Sequence, residues 1–431
     1  MSERILIRDL VGKVGESVLL RGFVHILRVQ SKIIFLILRD ITGTIQVVVP
    51  SDSPTFDSVK NLNVESVVET TGRVKESKVA PNGIELSIES LKVLSAAAPD
   101  LPIPVVLKKG ADETEAPIRF DYRWLDLRKP EKAKIFKVWT EFEKGWRKYF
   151  ADNNFIQVYS PSFMNTASET GADVFEVKYF ENKAYLAQSP QFYKQMGIAS
   201  GFERVFMVGP IFRAELSFTT RHLTEFTGWD FEVAYINSHH DLMDMEEDMI
   251  IAGFEAVSKA LPELNLTIPS KPFPRIPIIE AKKILAGEGE KSDEEHDLSP
   301  EEERKICEYV KNKYNHDFVF ITDYHKSKSA FYHMRHDNDP NRSKRADLLY
   351  RGIEVTTLAQ REHRIDVLEK QAKDKGMDLN ALKDYLNFFR WGCPPHGGGG
   401  VGPGRFIMKI MDLPNVREAT YLPRDVKRLN P

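Results

Sequence analysis

Apolar and polar positions alternate in short runs through the first hundred residues, and turn residues separate the runs. Alternation over four to eight residues indicates a half-buried β-strand. Five such runs predict strands, at 17–25, 33–40, 45–49, 66–73 and 84–94. Short strands at this spacing favour a small barrel, so we predict an OB-fold over residues 1–97, a fold that commonly binds single-stranded nucleic acid.

The pattern changes after the barrel. An alanine- and proline-rich stretch opens residues 98–130, which we assign to a linker or hinge. Apolar residues at helical spacing predict a helix over 131–152, and a strand follows at 155–159. Beyond it, strands and helices mix without the regular alternation of a doubly wound sheet. We therefore predict an α+β fold whose second domain, 131–431, is a large antiparallel sheet flanked by helices.

Composition narrows the class of protein. The 431 residues are 42% hydrophobic and 29% charged, and the formal net charge is −3, which is typical of a globular domain and argues against wholesale coating of nucleic acid. The two cysteines, Cys307 and Cys393, lie in no paired motif, so we expect neither a disulfide framework nor a cysteine zinc site. With no apolar run of 18 residues and no signal-peptide pattern, we expect a cytoplasmic protein.

A candidate nucleotide site lies between Gly209 and Asp230, where an apolar, β-branched stretch predicts two strands joined by a short loop. Charged and aromatic side chains interrupt it: Arg213, Glu215, Arg221, His222 and Phe226. A guanidinium group matches phosphate oxygens with a planar fork, and an aromatic ring can stack on a base. The set predicts a nucleoside triphosphate site, and the alternative is a surface hairpin with solvated charges.

Two further clusters fit that interpretation. Glycines at 397–400 and 402 precede Arg405 and an apolar helix, which favours a close approach to a flat ligand over a flexible linker. Asp347 and Glu354 flank Gly352, whose turn would bring the two acids together as oxygen ligands for Mg²⁺. The alternative is two surface acids. An acidic stretch at 288–303 predicts a helical or mobile surface segment within an insertion around 262–330.

Together, these motifs are similar, over essentially the whole chain, to those of class II aspartyl-tRNA synthetases of the archaeal and eukaryotic type. The hairpin resembles the second class II motif, Gly402–Arg405 the third, and the helix and strand that end at Pro161 the first, which builds a dimer interface in that class. Three segments are specific to the aspartyl branch: Gln188–Lys194, Arg351–Arg361 and Leu422–Leu429.

The resemblance implies a role for each ATP-site residue. Arg213 would hold the α-phosphate, and Arg405 and His222 the γ-phosphate. Phe226 would stack on adenine and Glu215 would accept from its amino group. The resemblance also assigns Arg221 to ATP binding, and it assigns Mg²⁺, bound with ATP, to three oxygen ligands: Asp347, Glu354 and Thr357.

The amino-acid site and the barrel receive roles in the same way. Lys194 and Arg361 would clamp the side-chain carboxylate of aspartate. The ammonium group would be bound by three residues: Asp230, Gln191 and Glu169. In the barrel, the positions that read anticodon bases would be Phe35, Gln46 and Glu85.

Several positions depart from the family pattern. Leu358 places a bulky side chain where the family has none, beside the expected amino-acid site, and Thr170 and Gly404 replace a glycine and a glutamate. His25 and Pro81 replace the bulky aromatic residue and the lysine with which some archaeal-type enzymes reject asparagine tRNA. These two changes predict relaxed selection at the third anticodon base.

The resemblance implies ATP-dependent ligation of L-aspartate to tRNA(Asp), with tRNA(Asn) as a further substrate, by a homodimer. Three alternatives stay open. An asparaginyl-tRNA synthetase is disfavoured by Lys194 and Arg361, since both prefer an anion to an amide. An asparagine synthetase would have no use for the barrel. A non-catalytic RNA-binding paralogue is favoured only by Leu358 and Gly404.

Overall fold

The structure is a computed structural model that describes residues 3–107, 109–165, 173–290 and 294–431. The chain divides into two compact units, Met1–Ala133 and Lys134–Asn430. The finer division into 1–97, 98–130 and 131–431 stays a prediction. In the described part of the chain, no helix is long and apolar enough to cross a lipid bilayer.

The first unit contains a closed five-stranded barrel in the order β1–β2–β3–β5–β4. Its elements are β1 (Ser17–Val29), β2 (Ile33–Arg39), β3 (Thr44–Pro50), α1 (Phe56–Lys60), β4 (Val67–Glu76) and β5 (Ile84–Ser95). Neighbouring strands are antiparallel except β3 and β5, which run parallel. Alternate apolar side chains fill the interior, including Leu36, Val47 and Leu86, each fully buried. The predicted OB-fold is confirmed.

The segment after the barrel is more ordered than a plain linker. It forms α2 (Ala116–Asp121) and α3 (Arg123–Asp126). The carboxylate of Asp126 is fully buried and accepts hydrogen bonds from the Arg123 guanidinium at 2.6 Å and the Lys129 amine at 3.1 Å. Buried charges need such partners, and since Arg119 of α2 also donates to Asp126 at 3.1 Å, the cluster links α2 to α3.

The second unit combines helices with an eight-stranded sheet and a three-stranded sheet. Its helices are α4 (Pro130–Asp152), whose first four residues fall in the first unit, α5 (Gln191–Ala199), α6 (His239–Ala260), α7 (Ile278–Gly287), α8 (Pro300–Tyr314), α9 (Ile365–Asp374), α10 (Lys383–Arg390) and α11 (Pro403–Ile410). Its strands are β6 (Ile156–Gln157), β7 (Phe163–Met164), β8 (Glu176–Tyr179), β9 (Asn182–Leu186), β10 (Arg204–Phe212), β11 (Glu225–Ala234), β12 (Arg275–Pro277), β13 (Phe318–Thr322), β14 (Arg345–Tyr350), β15 (Ile353–Gln360) and β16 (His396–Val401).

The large sheet has the order β12–β13–β14–β15–β16–β11–β10–β6. Its pairs are antiparallel except for the two at the edges, β12–β13 and β10–β6. Buried residues of α4, α6 and α11 form one core with the sheet, and Trp146, Trp229 and Phe406 lie at its centre. The predicted α+β class is confirmed.

Two sequence-based expectations need correction. The strand expected at 155–159 pairs only over Ile156–Gln157. The acidic stretch 288–303 is not wholly a surface segment, because Glu302 and Glu303 in the first turn of α8 are 3% and 5% exposed. Residues 291–293 lie outside the described part of the chain.

Candidate active site

A cavity of about 1140 Å³ opens in the second unit, with β10, β11, β15 and β16 contributing to its wall. The side chains predicted to contact ATP or aspartate meet there, although they come from distant segments. Those in the wall are Arg213, Glu215, Arg221, His222, Phe226, Glu354, Arg405, Gln191, Lys194, Asp230 and Arg361. Glu169 and Thr170 lie outside the described residues.

The β10–β11 hairpin positions the first part of the wall. Its ladder ends where Phe212 pairs with Glu225, and the Arg213 amide continues it by donating to the Thr224 carbonyl at 2.9 Å. The Arg213 guanidinium lies over the Phe226 ring, 5.8 Å from the centroid. Its Nε is buried and makes no hydrogen bond within the described chain. This arrangement leaves a donor free beside an aromatic face.

Arginine charge concentrates at one end of the cavity. Arg405 donates from one guanidinium nitrogen to the Glu354 carbonyl at 2.7 Å and to Glu354 Oε1 at 3.3 Å. Burial raises the pKa of Glu354, but Arg405 and its arginine neighbours outweigh burial and hold the pKa below its usual range. Burial, with Arg405 and Arg221 nearby, lowers the pKa of His222, so its imidazole is neutral at neutral pH. This end of the cavity suits a polyanion.

Glu303 is a site residue that sequence reasoning missed. It projects from α8, forms an ion pair with Arg221, and accepts a hydrogen bond from the Glu354 amide at 3.2 Å. Burial raises the pKa of this carboxyl group. The sequence offered only an acidic run at 288–303, which most often marks a solvated face. Which of these acids turns inward depends on tertiary packing.

The predicted metal ligands are adjacent, but they do not all face the cavity. Asp347 pairs with Thr357 across β14 and β15, and a tight turn at Gly352, with φ +83°, joins the two strands. Glu354 and Thr357 line the cavity, whereas Asp347 is 2% exposed and accepts from Arg345 at 3.0 and 2.6 Å. Burial raises the pKa of Asp347 to about 6 against the opposing charge of Arg345.

The opposite end of the cavity contains two buried cations that share one carboxylate. Glu232 is fully buried, and its Oε2 lies 3.5 Å from the Lys194 amine and 3.3 Å from an Arg361 guanidinium nitrogen. Lys194 also contacts Asp230 Oδ2 at 2.8 Å. Burial raises the pKa of Glu232, but Arg361 and Lys194 outweigh it and hold the carboxyl group ionised. The two cations are therefore close enough to share a small anion.

Glu232 was also missed, although a signal existed. Asp230 and Glu232 are two residues apart in β11 and so lie on one face of the strand. In the register, Asp230 faces Gly400 and Glu232 faces Gly398. A Cβ at position 398 would lie 2.5 Å from Glu232 Oε2 and 2.0 Å from the Phe231 carbonyl oxygen. The glycine run is thus a central strand that leaves room for a buried carboxylate, and the linker interpretation is wrong.

Leu358 does not lie beside the amino-acid site as expected from the sequence. Adjacent residues of a strand face opposite sides, so Thr357 lines the cavity while Leu358 packs, fully buried, in the core on the other face. Gly404 does line the cavity, and a Cβ there would lie 3.3 Å from Val416.

The predicted anticodon residues lie on the first unit. Gln46 of β3 donates from its amide nitrogen to Glu85 Oε2 on β5 at 3.1 Å. Phe35 on neighbouring β2 occupies one of the half-buried positions that alternate with core residues, as do Gln46 and Glu85. The three side chains therefore lie on the outer face of adjacent strands, where stacking on a base is feasible.

The two residues assigned to tRNA discrimination have different surroundings. His25 lies in a network in which its ring contacts Arg39, which in turn pairs with buried Glu65 at 2.7 Å. Burial raises the pKa of Glu65, but hydrogen bonds from His25, Arg39 and Arg128 lower it to about 2. Pro81 is exposed in the turn between β4 and β5.

Comparisons with known proteins agree with this geometry. The family described as "tRNA synthetases class II (D, K and N)" matches residues 115–426, and "OB-fold nucleic acid binding domain" matches residues 18–94. The aspartate–tRNA(Asp/Asn) ligase of Aeropyrum pernix is 38% identical over 97% of this chain and 96% of that protein. The aspartate–tRNA(Asp) ligase of Thermoplasma volcanium is 40% identical over 97% of each.

The solved structures similar to this chain include both an asparaginyl- and an aspartyl-tRNA synthetase. The asparaginyl-tRNA synthetase of Pyrococcus horikoshii, complexed with asparaginyl-adenylate, matches with a TM-score of 0.92 and 32% identity over all of both chains. The aspartyl-tRNA synthetase of Entamoeba histolytica matches with a TM-score of 0.89 and 31% identity, covering all of this chain and 93% of that one. Backbone similarity alone therefore does not select the amino acid.

A barrel of the OB type, a largely antiparallel sheet and an arginine-lined cavity on that sheet define a class II aminoacyl-tRNA synthetase, a class that uses ATP. Within that class, this chain belongs to the archaeal-type aspartyl-tRNA synthetases, the aspartate–tRNA ligases.

Proposed function

We propose that the second unit forms aspartyl-adenylate from ATP and L-aspartate and then passes the aspartyl group to the 3′ end of tRNA(Asp) and tRNA(Asn). Family membership supports the aspartate–tRNA ligase activity. The cavity supports the residue roles, because its arginine end suits a triphosphate and its Lys194–Arg361 end suits a small acid.

The first step needs position and charge more than a base. The α-carboxylate of aspartate is already a nucleophile at neutral pH, and it attacks the α-phosphorus as pyrophosphate leaves. Arg213 would bind the α-phosphate and Arg405 the γ-phosphate, so both stabilise charge in an in-line displacement. Phe226 would stack on the adenine ring, and Glu215 would accept from its amino group.

A divalent cation fits the acids beside the triphosphate end. Glu354, Asp347 and the Thr357 hydroxyl are all hard oxygen donors, and Mg²⁺ binds through one or two carboxylates plus substrate phosphates. The chemistry that Mg²⁺ supplies there is neutralisation of charge on the phosphate oxygens. Asp347 already accepts two hydrogen bonds from Arg345, so Glu354 offers the freer carboxylate.

The choice of aspartate over asparagine would rest on the charge balance around Lys194, which Glu232 only partly compensates. Lys194 has two carboxylate partners, Asp230 at 2.8 Å and Glu232 at 3.5 Å. When the substrate ammonium group binds Asp230, Lys194 loses part of its compensation. A side-chain carboxylate replaces that negative charge, whereas an amide leaves a buried cation poorly paired.

ATP–pyrophosphate exchange with aspartate and with asparagine tests this proposal. We expect exchange with aspartate in the wild-type protein, and a loss of about 10²–10⁴-fold in kcat/KM for aspartate in Lys194→Met, since breaking a buried pair costs about 3–5 kcal/mol. Lys311→Met is the matched control, because Lys311 is 52% exposed and pairs with Asp317 on the surface near the end of α8.

Each other outcome contradicts part of the proposal. Exchange with asparagine alone would assign the protein to the asparaginyl enzymes, whose backbone it also matches. Exchange with neither amino acid would favour a non-catalytic RNA-binding protein. Unchanged exchange with aspartate in Lys194→Met would remove Lys194 from the amino-acid site.

We also propose that tRNA choice is relaxed. His25 is tied to Arg39, and Pro81 offers neither a positive charge nor a hydrogen-bond donor at its exposed turn. Curated relatives include both tRNA(Asp) and tRNA(Asp/Asn) ligases. Aspartylation of transcripts of both tRNAs, at equal concentration, should proceed within about tenfold. A strict preference for tRNA(Asp) would refute the relaxed choice and leave the ligase activity intact.

A homodimer is the proposed assembly. Support comes from exposed apolar side chains that follow α4, among them Tyr159 at 79% and Phe163 at 51% exposed. Such residues favour a protein interface. Light scattering coupled to gel filtration should give twice the 49.4 kDa chain mass, and a single-chain mass would contradict it. The two free cysteines support our proposal of a cytoplasmic location.

A further inference from the structure

A cluster of metal-ligating side chains lies outside the catalytic residues. His239 is the first residue of α6, Asp323 follows the end of β13, and His336 lies in the segment before β14. One potential ligand atom from each lies within 4.8 Å of the other two. The three come from separate segments, so no spacing motif in the sequence announces them.

The separations are close to those of a metal site. Asp323 Oδ1 lies 2.8 Å from His336 Nε2 and 3.4 Å from His239 Nε2. Ligand atoms at about 2.0–2.2 Å from a tetrahedral ion lie about 3.3–3.5 Å from one another. The Asp323–His239 separation already matches this value, and the half-buried His336 ring would have to move outward from Asp323 by about 0.6 Å to reach it.

His239 supplies the observation that points to a ligand. It is 2% exposed, and neither of its ring nitrogens makes a hydrogen bond within the described part of the chain. Burying an imidazole without a hydrogen bond costs free energy, and such groups are rare in folded proteins. Ser238 caps α6 by accepting from the His240 amide, which fixes the backbone at His239. The helix cap therefore holds His239 Nε2 toward Asp323 Oδ1 at 3.4 Å, an ion-pair distance without a hydrogen bond, so the nitrogen stays available as a ligand.

Asp323 is oriented as metal-binding carboxylates are. The Thr322 hydroxyl donates to its Oδ2 at 2.6 Å, which leaves Oδ1 toward both imidazoles. Its own amide donates to the Arg345 carbonyl at 2.9 Å, and Arg342 donates to its carbonyl at 2.9 Å. Outer hydrogen bonds that hold a ligand in one orientation are characteristic of metal sites.

We propose that His239, Asp323 and His336 bind one divalent transition-metal ion, with Zn²⁺ as the expected occupant. Two imidazoles and one carboxylate suit Zn²⁺ far better than Mg²⁺, which prefers oxygen donors. Asp323 and His336 keep 23% and 26% of their side chains exposed, which allows the ion to enter and water to complete the coordination.

The ion would act as a structural clamp. It joins the start of α6 to the segment that contains His336. In that segment, the Met334 amide donates to the Gln360 carbonyl at 2.9 Å, next to Arg361. His240, the neighbour of His239, is exposed, and its Nδ1 lies 3.3 Å from an Arg275 guanidinium nitrogen, so it is not a fourth ligand.

Titration of the chelator-treated full chain with Zn²⁺ by calorimetry, and with Co²⁺ by visible absorption, tests the site. We expect one equivalent bound by the wild type with Kd of about 1 μM or tighter, together with Co²⁺ d–d bands. Asp323→Asn and His336→Gln should each weaken binding at least tenfold and abolish the bands, because each removes one ligand while keeping its shape.

His240→Gln is the matched control and should bind as the wild type does. Thermal unfolding in EDTA reports folding: similar midpoints for His336→Gln and His240→Gln show that lost binding is lost ligation. With Zn²⁺ present, the midpoint should rise for the wild type and His240→Gln but not for His336→Gln. Absence of stoichiometric binding by the wild type, or equal binding by His336→Gln, would overturn the proposal.

Discussion

Neutralising one buried carboxylate, Glu232→Gln, should destabilise the protein in a way that aspartate partly reverses. Glu232 is fully buried and lies 2.9 and 3.3 Å from two Arg361 nitrogens and 3.5 Å from the Lys194 amine. Glutamine keeps the volume and one acceptor, so the change removes charge and little else. Lys194 then keeps Asp230 and the Gly399 carbonyl as partners, and Arg361 keeps the Gly398 carbonyl and the face of the Tyr332 ring.

The magnitude follows from two opposing contributions. Each lost pair is worth about 5 kcal/mol at an effective dielectric constant of about 20, and the desolvation cost of the carboxylate, which is several kcal/mol, is recovered. Breaking buried ion pairs costs about 3–5 kcal/mol in measured cases, so we expect a loss near 3 kcal/mol and, for a unit of this size, a fall of about 3–5 °C in Tm.

The pKa of Glu232 determines the pH range over which Glu232→Gln should destabilise the protein. The pKa of Glu232 in the folded protein lies below its ordinary value because Arg361 and Lys194 outweigh burial. A carboxyl group with a depressed folded pKa stabilises the fold above its unfolded pKa and loses that effect only as the pH falls through the folded value. The destabilisation should therefore be the same at pH 6 and pH 8.

Thermal unfolding with saturating aspartate or asparagine is the assay. Aspartate brings the anion that the variant lacks, so it should raise Tm more in Glu232→Gln than in the wild type, whereas asparagine should not. Glu255→Gln, at an exposed position of α6, is the control and should stay within about 0.5 kcal/mol of the wild type. Equal rescue by asparagine, or a variant as stable as the control, would refute the shared-carboxylate argument.

Three other changes test separate parts of the site and core. Burial raises the pKa of Glu246, in α6, to about 8, so above about pH 4.5 the folded state keeps a proton that the unfolded state releases. Glu246→Gln should therefore stabilise the protein by up to about 4 kcal/mol at pH 8 and by much less at pH 5. Equal Tm shifts at both pH values would contradict this. Glu303→Gln should raise KM for ATP about tenfold through loss of its pair with Arg221 and leave KM for aspartate unchanged, as exchange kinetics would show. Leu358→Ala should cost about 2–5 kcal/mol in denaturant unfolding without changing the ratio of aspartate to asparagine use, since the side chain packs in the core.

The pattern of apolar and polar residues predicted the barrel strands and the long helix, because short stretches of sequence determine those elements. The barrel strands alternate visibly, because each has one face in the core, and the helix expected at 131–152 starts one residue earlier, at Pro130, and ends as expected at Asp152. The buried strand β16 carries no such signal, since its glycines have no side chains to alternate. Its strand character depends on β11 and β15 on either side, which no short window of sequence reveals.

The same contrast applies to the residues of the candidate site, since some are recognisable from local sequence and others only from the folded structure. Arg213 and Arg405 are noticeable in the sequence because a charged side chain within an apolar stretch is uncommon and often indicates a function. The structure places both in one cavity. Glu232 and Glu303 did not stand out, because an acid in a charged neighbourhood has many uses. Their importance comes from burial and from the cations they meet, which are properties of tertiary packing.

The placement of Leu358 shows that the face of the strand on which a residue lies must be known before its departure from a family pattern is given a functional meaning. Thr357 and Leu358 are adjacent in β15, and strand geometry sends one into the cavity and the other into the core. Thr357 supplies a hydroxyl where the cavity needs an oxygen donor. The larger side chain of Leu358 packs in the core, next to Gly399 and Phe231. The substitution therefore bears on stability, and the strongest residue-level support for a non-catalytic paralogue disappears with it.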